Sequence, residues 1–303
     1  MWFVAFFVET THLDAVLSSS DRLSKRKPAP RQFYRSGPNH RQLLGGVVPD
    51  FQTIRQWFDF PSIEIGKWVT KVEQERAAGH FYDALSDLVL ILAGRALATE
   101  QQIVLGQQLV SLRGTLGLQY GTGGRPGVSA HYAPLQRTFA LAKNAGPGSI
   151  AHEWFHAFDH YMASHAFDGL AEMNPNVFAS SLWLENEMRP HGLNALLDAC
   201  FQAIMLSDDG ETPSELCKAS VKADRALGVH YYSKPEEMAA RCFEAFVQDA
   251  FVRNQFLVKG TLQTDEARLG LYPSGEHRMH INTAFAAYFQ ALSAALLRSV
   301  QLG

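Results

Sequence analysis

The chain is poor in the features that would announce a class at once. It has three cysteines in 303 residues, Cys200, Cys217 and Cys242, and no CxxC pair among them. That pattern excludes a disulfide framework and a cysteine zinc knuckle, and suits a reducing compartment. No segment reaches the roughly 18 uninterrupted apolar residues that a membrane helix needs. The apolar stretch from Met1 to Val8 is broken by Glu9 and has neither a basic flank nor a small-residue cleavage site, so it does not read as a signal peptide. Positive charge is not in excess: 27 Lys and Arg face 30 Asp and Glu, a net charge of −3. Nothing in that balance calls for nucleic acid or an anionic membrane as a partner. Internal repeats and low-complexity segments are also lacking. A cytoplasmic protein is expected.

What remains is an ordinary globular composition, 47% apolar and 19% charged, in a chain long enough to bury a large core. Residues 17–45 are rich in Ser, Pro, Arg and Lys and read as a solvated arm. The expected layout is a variable N-terminal segment and basic linker over 1–32, then a single domain over 33–303. Within that domain, 33–145 holds an N-terminal helix and a small sheet, and 146–303 the metal-binding helical part. Phe81, Leu85, Leu88, Val89 and Leu92 recur at helical spacing and predict an amphipathic helix over 73–92. Four β-prone runs follow, at 109–112, 116–120, 128–132 and 138–141, and predict a small antiparallel sheet. The glycine-rich loop 121–127 lacks the Lys-Ser/Thr of a phosphate cradle and opens no helix, so it reads as a hairpin turn. Helical segments are expected near 179–206, 234–252 and 280–299. The fold class is α+β, mainly helical, with the sheet ahead of the central helix.

The run His152-Glu153-Trp154-Phe155-His156 is the strongest chemical signal. Histidines four apart project from one face of a helix and can share one metal ion, while Glu153 is placed to take a proton from a water on that ion. Ser149 is the expected N-cap. A zinc ion also needs a third protein ligand. Ser233 and Glu236 form an S-x-x-E capping box, which leaves Glu237 free to be that ligand. Glu237, Arg241, Glu244 and Gln248 make a polar stripe at i, i+4, i+7 and i+11 on an otherwise apolar helix. A solvated face with ion pairs is the plain alternative for that stripe. Two His and one Glu from two helices is the ligand set of thermolysin-like zincins, which this sequence resembles.

Asp159 shares the histidine face and is expected to orient a ligand histidine or to pair with Arg241. Glu244 and Asp159 are the fallback third ligands. His160 continues the series one turn on, too far for the same ion. On the strand before the helix, His131 is a candidate donor to a developing oxyanion, with an ordinary strand histidine equally open. Tyr231 is a similar candidate, with His230 and Tyr232 beside it. His277 and His280 lack an acid at motif spacing and read as surface.

Three stretches carry a family resemblance: Ala130-His131-Tyr132, 141–146 (LAKNAG) and 151–160 (AHEWFHAFDH). Further matching stretches are 33–38, 63–69, 111–116, 235–238 and 256–261. The chain resembles the CLCA_X family over 33–300, a group related to the first of the large polyvalent protein-associated domains of bacterial, phage and plasmid proteins. That resemblance implies a zincin-like metallopeptidase domain holding one Zn2+, with a peptide or protein as substrate. It implies no particular substrate. The helix of Glu237 also looks like the third-ligand helix of the wider zincin group, with Ala240 and Phe243 in matching places and Arg241 as a departure. Two alternatives stay open: a non-catalytic, zinc-stabilised interaction module, and a metal-dependent hydrolase of something other than peptides.

Overall fold

A computed structural model describes residues 33–122, 130–143, 148–169 and 174–302. The expectations for 1–32 and for most of the 121–127 loop lie outside the described residues. The described helices are α1 (Phe51–Phe58), α2 (Lys71–Ala93), α3 (Thr99–Leu105), α4 (Ser149–Ala166), α5 (Ala179–Leu182), α6 (Gly192–Met205), α7 (Glu215–Leu227), α8 (Pro235–Asp249), α9 (Asp265–Arg268) and α10 (Gly275–Leu302). Four short strands form one sheet: β1 (Ile63–Ile65), β2 (Gly117–Tyr120), β3 (Ala130–Ala133) and β4 (Thr138–Leu141). The molecule is mainly helical, as expected. Among the described residues, no helix is long and apolar enough to cross a membrane.

The sheet corrects the expectation of an antiparallel one. Its order is β1-β2-β4-β3, and only the β3–β4 pair is antiparallel. β1 runs parallel to β2 and β2 parallel to β4, with Leu118 opposite both Ile63 and Phe139. A parallel pair needs a crossover, and here α2 and α3 fill the chain between β1 and β2. The run 109–112 is not a strand. Val110 closes a π-helical turn continuing α3, and Leu112, Arg113 and Gly114 all have positive φ. A short apolar run does not distinguish a buried strand from a buried helical turn.

Two helices differ from expectation at their starts. Ser149 is not an N-cap: it is the first residue of α4, and Gly148 precedes it at φ 106°. A Cβ on Gly148 would lie 2.6 Å from the Lys259 backbone nitrogen, so only glycine fits. The N–H of Gly148 donates to the Phe256 carbonyl and that of Ala151 to the Leu257 carbonyl. Likewise Ser233 and Glu236 do not form a capping box. The cap of α8 is Lys234, and Pro235 occupies its first turn. The expected 179–206 helix is two helices, α5 and α6, on either side of a segment containing Pro190. Helix α7 was not anticipated.

The core is built around α4. Trp154, Phe155 and Phe158 turn inward and meet Phe243 of α8 and Phe285, Tyr288 and Phe289 of α10. Trp154 also donates its indole N–H to the Val110 carbonyl at 2.9 Å. Burying three aromatic side chains gains several kcal/mol at about 1.5–3 kcal/mol each, and fixes the rotation of α4. The polar residues of the same helix are thereby aimed toward α8.

The segment 33–45 is not the solvated arm expected of it. Arg35 donates through Nε and Nη2 to both Asp87 oxygens at 2.6 Å, and His40 Nε2 lies 2.8 Å from Asp87 Oδ1. Asn254 Nδ2 donates to Asp87 Oδ2 at 2.8 Å. Asp87 is fully buried on α2, so this node ties the start of the described chain and the segment after α8 to the core.

Candidate metal centre

His152 and His156 project from the second and third turns of α4 toward the first turn of α8, where Glu237 sits. The two Nε2 atoms are 3.0 Å apart. Glu237 Oε2 lies 3.3 Å from His152 Nε2, and its Oε1 lies 3.5 Å from His156 Nε2. Ligand atoms of these three residues all fall within 4.8 Å of one another. Zinc bonds of about 2.0–2.1 Å at tetrahedral angles set neighbouring ligand atoms about 3.3–3.4 Å apart. The Nε2–Nε2 separation falls below that value, and the two His–Glu separations, which run to different carboxylate oxygens, lie close to it. Two imidazole nitrogens and a carboxylate facing one point need positive charge among them, a metal ion or shared protons.

The Glu237 carboxylate is incompletely satisfied by the protein. Its Oε2 is buried and has no hydrogen-bond partner among the described residues. Burial opposes its charge, but His156 and His152 outweigh that and hold its pKa well below the carboxylate range. For His152 burial again opposes the charged form, and Glu244 and Glu237 together hold its pKa well above the usual value. These shifts describe protons standing where a cation would.

Glu244, one of the fallback ligands, sits behind the cluster. His152 Nδ1 donates to its Oε2 at 3.1 Å, and the other ring nitrogen, Nε2, faces Glu237. Tyr272 donates to the same oxygen at 3.0 Å. This tyrosine follows a turn and belongs to no periodic pattern, so no sequence signal marked it. His156 has no such support, because its buried Nδ1 lacks a partner among the described residues.

Glu153 is buried on the same helix, 7% exposed. Burial raises its pKa, the neighbouring histidines lower it in part, and Glu237 and Glu244 raise it further. Tyr231 is 39% exposed as a residue, yet its hydroxyl lies against Glu237. Burial and then the Glu237 charge raise its pKa, and Glu153 adds to the rise. The loop that carries Tyr231 is fixed by Asp224 of α7. That carboxylate accepts the backbone N–H groups of Tyr231, Tyr232 and Ser233 and the Ser233 hydroxyl. This is what occupies Ser233 in place of the capping box. Glu236 instead accepts from Ser181 of α5 at 2.7 Å.

Other expected members are elsewhere. Asp159 neither orients a histidine nor pairs with Arg241, because its oxygens accept the Ser180 N–H and hydroxyl. Arg241 turns away from the cluster, donating to the Leu271 and Tyr232 carbonyls and to Ser220. His160 is bound at both nitrogens, to the Tyr132 hydroxyl and the Pro175 carbonyl, each at 2.8 Å. His131 lies on the edge strand β3 opposite Ala140, exposed, with no hydrogen bond to the cluster among the described residues. His230 is exposed, and His280 is too; His277 is half-buried and donates to the Ala203 carbonyl at 2.7 Å.

The fold and site together define a mainly helical domain with a mixed sheet, in which two helices converge a His, His, Glu cluster. A family model described as large polyvalent protein-associated domain 1 matches residues 223–296. The match supports a relation to that domain over the stretch holding Glu237, Glu244 and Tyr272, and it begins well after the HExxH run. No curated protein and no solved structure matches the chain.

Proposed function

We propose that the chain is a zinc-dependent peptidase of the two-His-one-Glu type. The observation that carries this reading is the convergence of His152, His156 and Glu237 at separations that fit one tetrahedral ion, with Glu153 buried beside them. Zinc held there supplies a Lewis acid that brings a water molecule's pKa toward neutrality. Glu153 takes the proton at its carboxylate and later delivers it to the leaving amine, a role its burial favours by raising its pKa toward the working range. Tyr231, with its hydroxyl against Glu237, donates toward charge developing on the substrate carbonyl. Glu244 and Tyr272 hold the tautomer and ring plane of His152. The edge strand β3, paired among the described residues with β4 alone, offers backbone groups to an extended peptide.

The test is a Glu153→Gln variant assayed on a peptide library beside the wild type. The expected result is an unchanged zinc content and an unchanged fold, with hydrolysis lost in the variant. Wild-type protein that holds zinc and cleaves no peptide supports the interaction-module reading instead.

A further inference from the structure

On the side of α4 turned away from the histidines lies a cavity of about 410 Å³. At 100° per residue, the stripe of Phe158, Tyr161, Met162 and His165 falls nearly opposite His152 and His156. Leu109 and Leu112 wall the cavity on one side and Leu292 and Leu296 of α10 on another. Its volume is within the range of pockets that enclose small ligands. The apolar lining comes with two guanidinium groups. Arg113, Arg189, His165 and His191 all border the cavity, and among the described residues no carboxylate does.

Two details point to a ligand. Tyr288 lines the cavity, is fully buried, and its hydroxyl has no hydrogen-bond partner among the described residues. A buried hydroxyl left unpaired is costly, and it marks this wall of the cavity as incompletely satisfied. Arg113 is exposed and has no ion-pair partner among the described residues. It stands at φ 58°, between Leu112 at 53° and Gly114 at 69°, a left-handed turn unusual for two residues with side chains. Ser111 holds the turn by accepting the Gly114 N–H, and Thr115 by donating to the Leu112 carbonyl. Arg189 is partly anchored, donating through Nη2 to the Ser164 carbonyl, and its nearest acid is the exposed Asp168 at 3.4 Å.

We propose that this cavity binds a small apolar molecule carrying one carboxylate. The hydrocarbon part lies among Leu109, Phe158, Met162, Leu292 and Leu296. The carboxylate meets Arg113 and Arg189 at the rim. This site is separate from the histidine cluster and does not depend on the peptidase reading.

The test is calorimetric titration of the full chain with octanoate, with and without added zinc, beside titrations with octanol and octylamine. Saturable binding of one octanoate per chain is expected, equal with and without zinc, and at least tenfold tighter than for either analogue. Arg113→Ala with Arg189→Ala weakens it at least tenfold while leaving the far-ultraviolet spectrum unchanged. No saturable binding, binding that needs zinc, equal binding of octanol, or binding indifferent to the arginine pair would each overturn the proposal.

Discussion

Two buried polar centres of this protein are built from similar parts and are finished differently. At Asp87, a carboxylate on an apolar helix meets an arginine, a histidine and an asparagine, and both its oxygens accept from donors at 2.6–2.8 Å. At Glu237, a carboxylate on another apolar helix meets two histidines at 3.3 and 3.5 Å, and one of its oxygens is buried without a hydrogen bond among the described residues. The first centre is closed by its own donors. The second leaves acceptors facing one another. Charge at the first joins segments 33–40 and 254 to the core, and a Cβ on Gly37 would fall 2.2 Å from Asp87 Oδ1, so no room is left there. Buried polar groups are normally satisfied, and on the proposed reading the unsatisfied centre is the one that takes a cation.

Breaking each centre should therefore give opposite results. The largest effect on folding is expected for Asp87→Ala, which strands the Arg35 charge and the His40 ring. A loss of about 3–5 kcal/mol in a denaturant melt is predicted, with zinc affinity of the remaining folded protein unchanged. The reverse is predicted for Glu237→Ala. Zinc affinity, read by competition with a chelating dye, should fall by more than the roughly 10–100-fold typical of a supporting residue. Metal-free stability should hardly change. Equal loss of stability from both variants would erase the distinction between the centres.

A smaller effect sharpens it. Glu244→Gln keeps the size of the side chain and weakens the acceptor behind His152, so zinc affinity should fall by about 10–100-fold. An unchanged affinity would show that His152 needs no orienting partner. A pH-dependent effect concerns a third buried carboxylate. Burial pushes the Asp159 pKa up to about 7 from an ordinary 3.8, although Ser180 donates twice to it. The folded chain then holds that proton more tightly than the unfolded chain. Its contribution is complete below about pH 4, declines as pH rises to about 7, and is flat above. A swing of about 4 kcal/mol is the upper bound. Asp159→Asn should remove the decline in a pH series of urea melts, and a decline that survives would assign it to another group.

The parts of this molecule that were legible in sequence are those fixed by periodicity on one element. Helical spacing placed α2 and α4 and put His152, Glu153 and His156 on their helix, and the acidic stripe of α8 pointed to Glu237 and Glu244. Contacts between distant segments were not legible. Ser149 looked like a cap, but the carbonyls of Phe256 and Leu257 bind the start of α4. Ser233 and Glu236 matched a capping box, but Asp224 and Ser181 claimed them. A local pattern offers one hydrogen bond, and a tertiary partner with better geometry displaces it. The sheet was misread because β1 has only three residues, too few to show alternation, and parallel pairing depends on a crossover that no local signal encodes.

The central claim is that the Glu237 centre holds a cation and the Asp87 centre does not. Its most direct test is the zinc content of metal-stripped full-length chain after titration with zinc and gel filtration, measured by atomic emission for wild type and for His152→Ala with His156→Ala. One zinc per wild-type chain and none in the double variant is predicted. No retained zinc in the wild type, or one zinc retained by the variant, would contradict it.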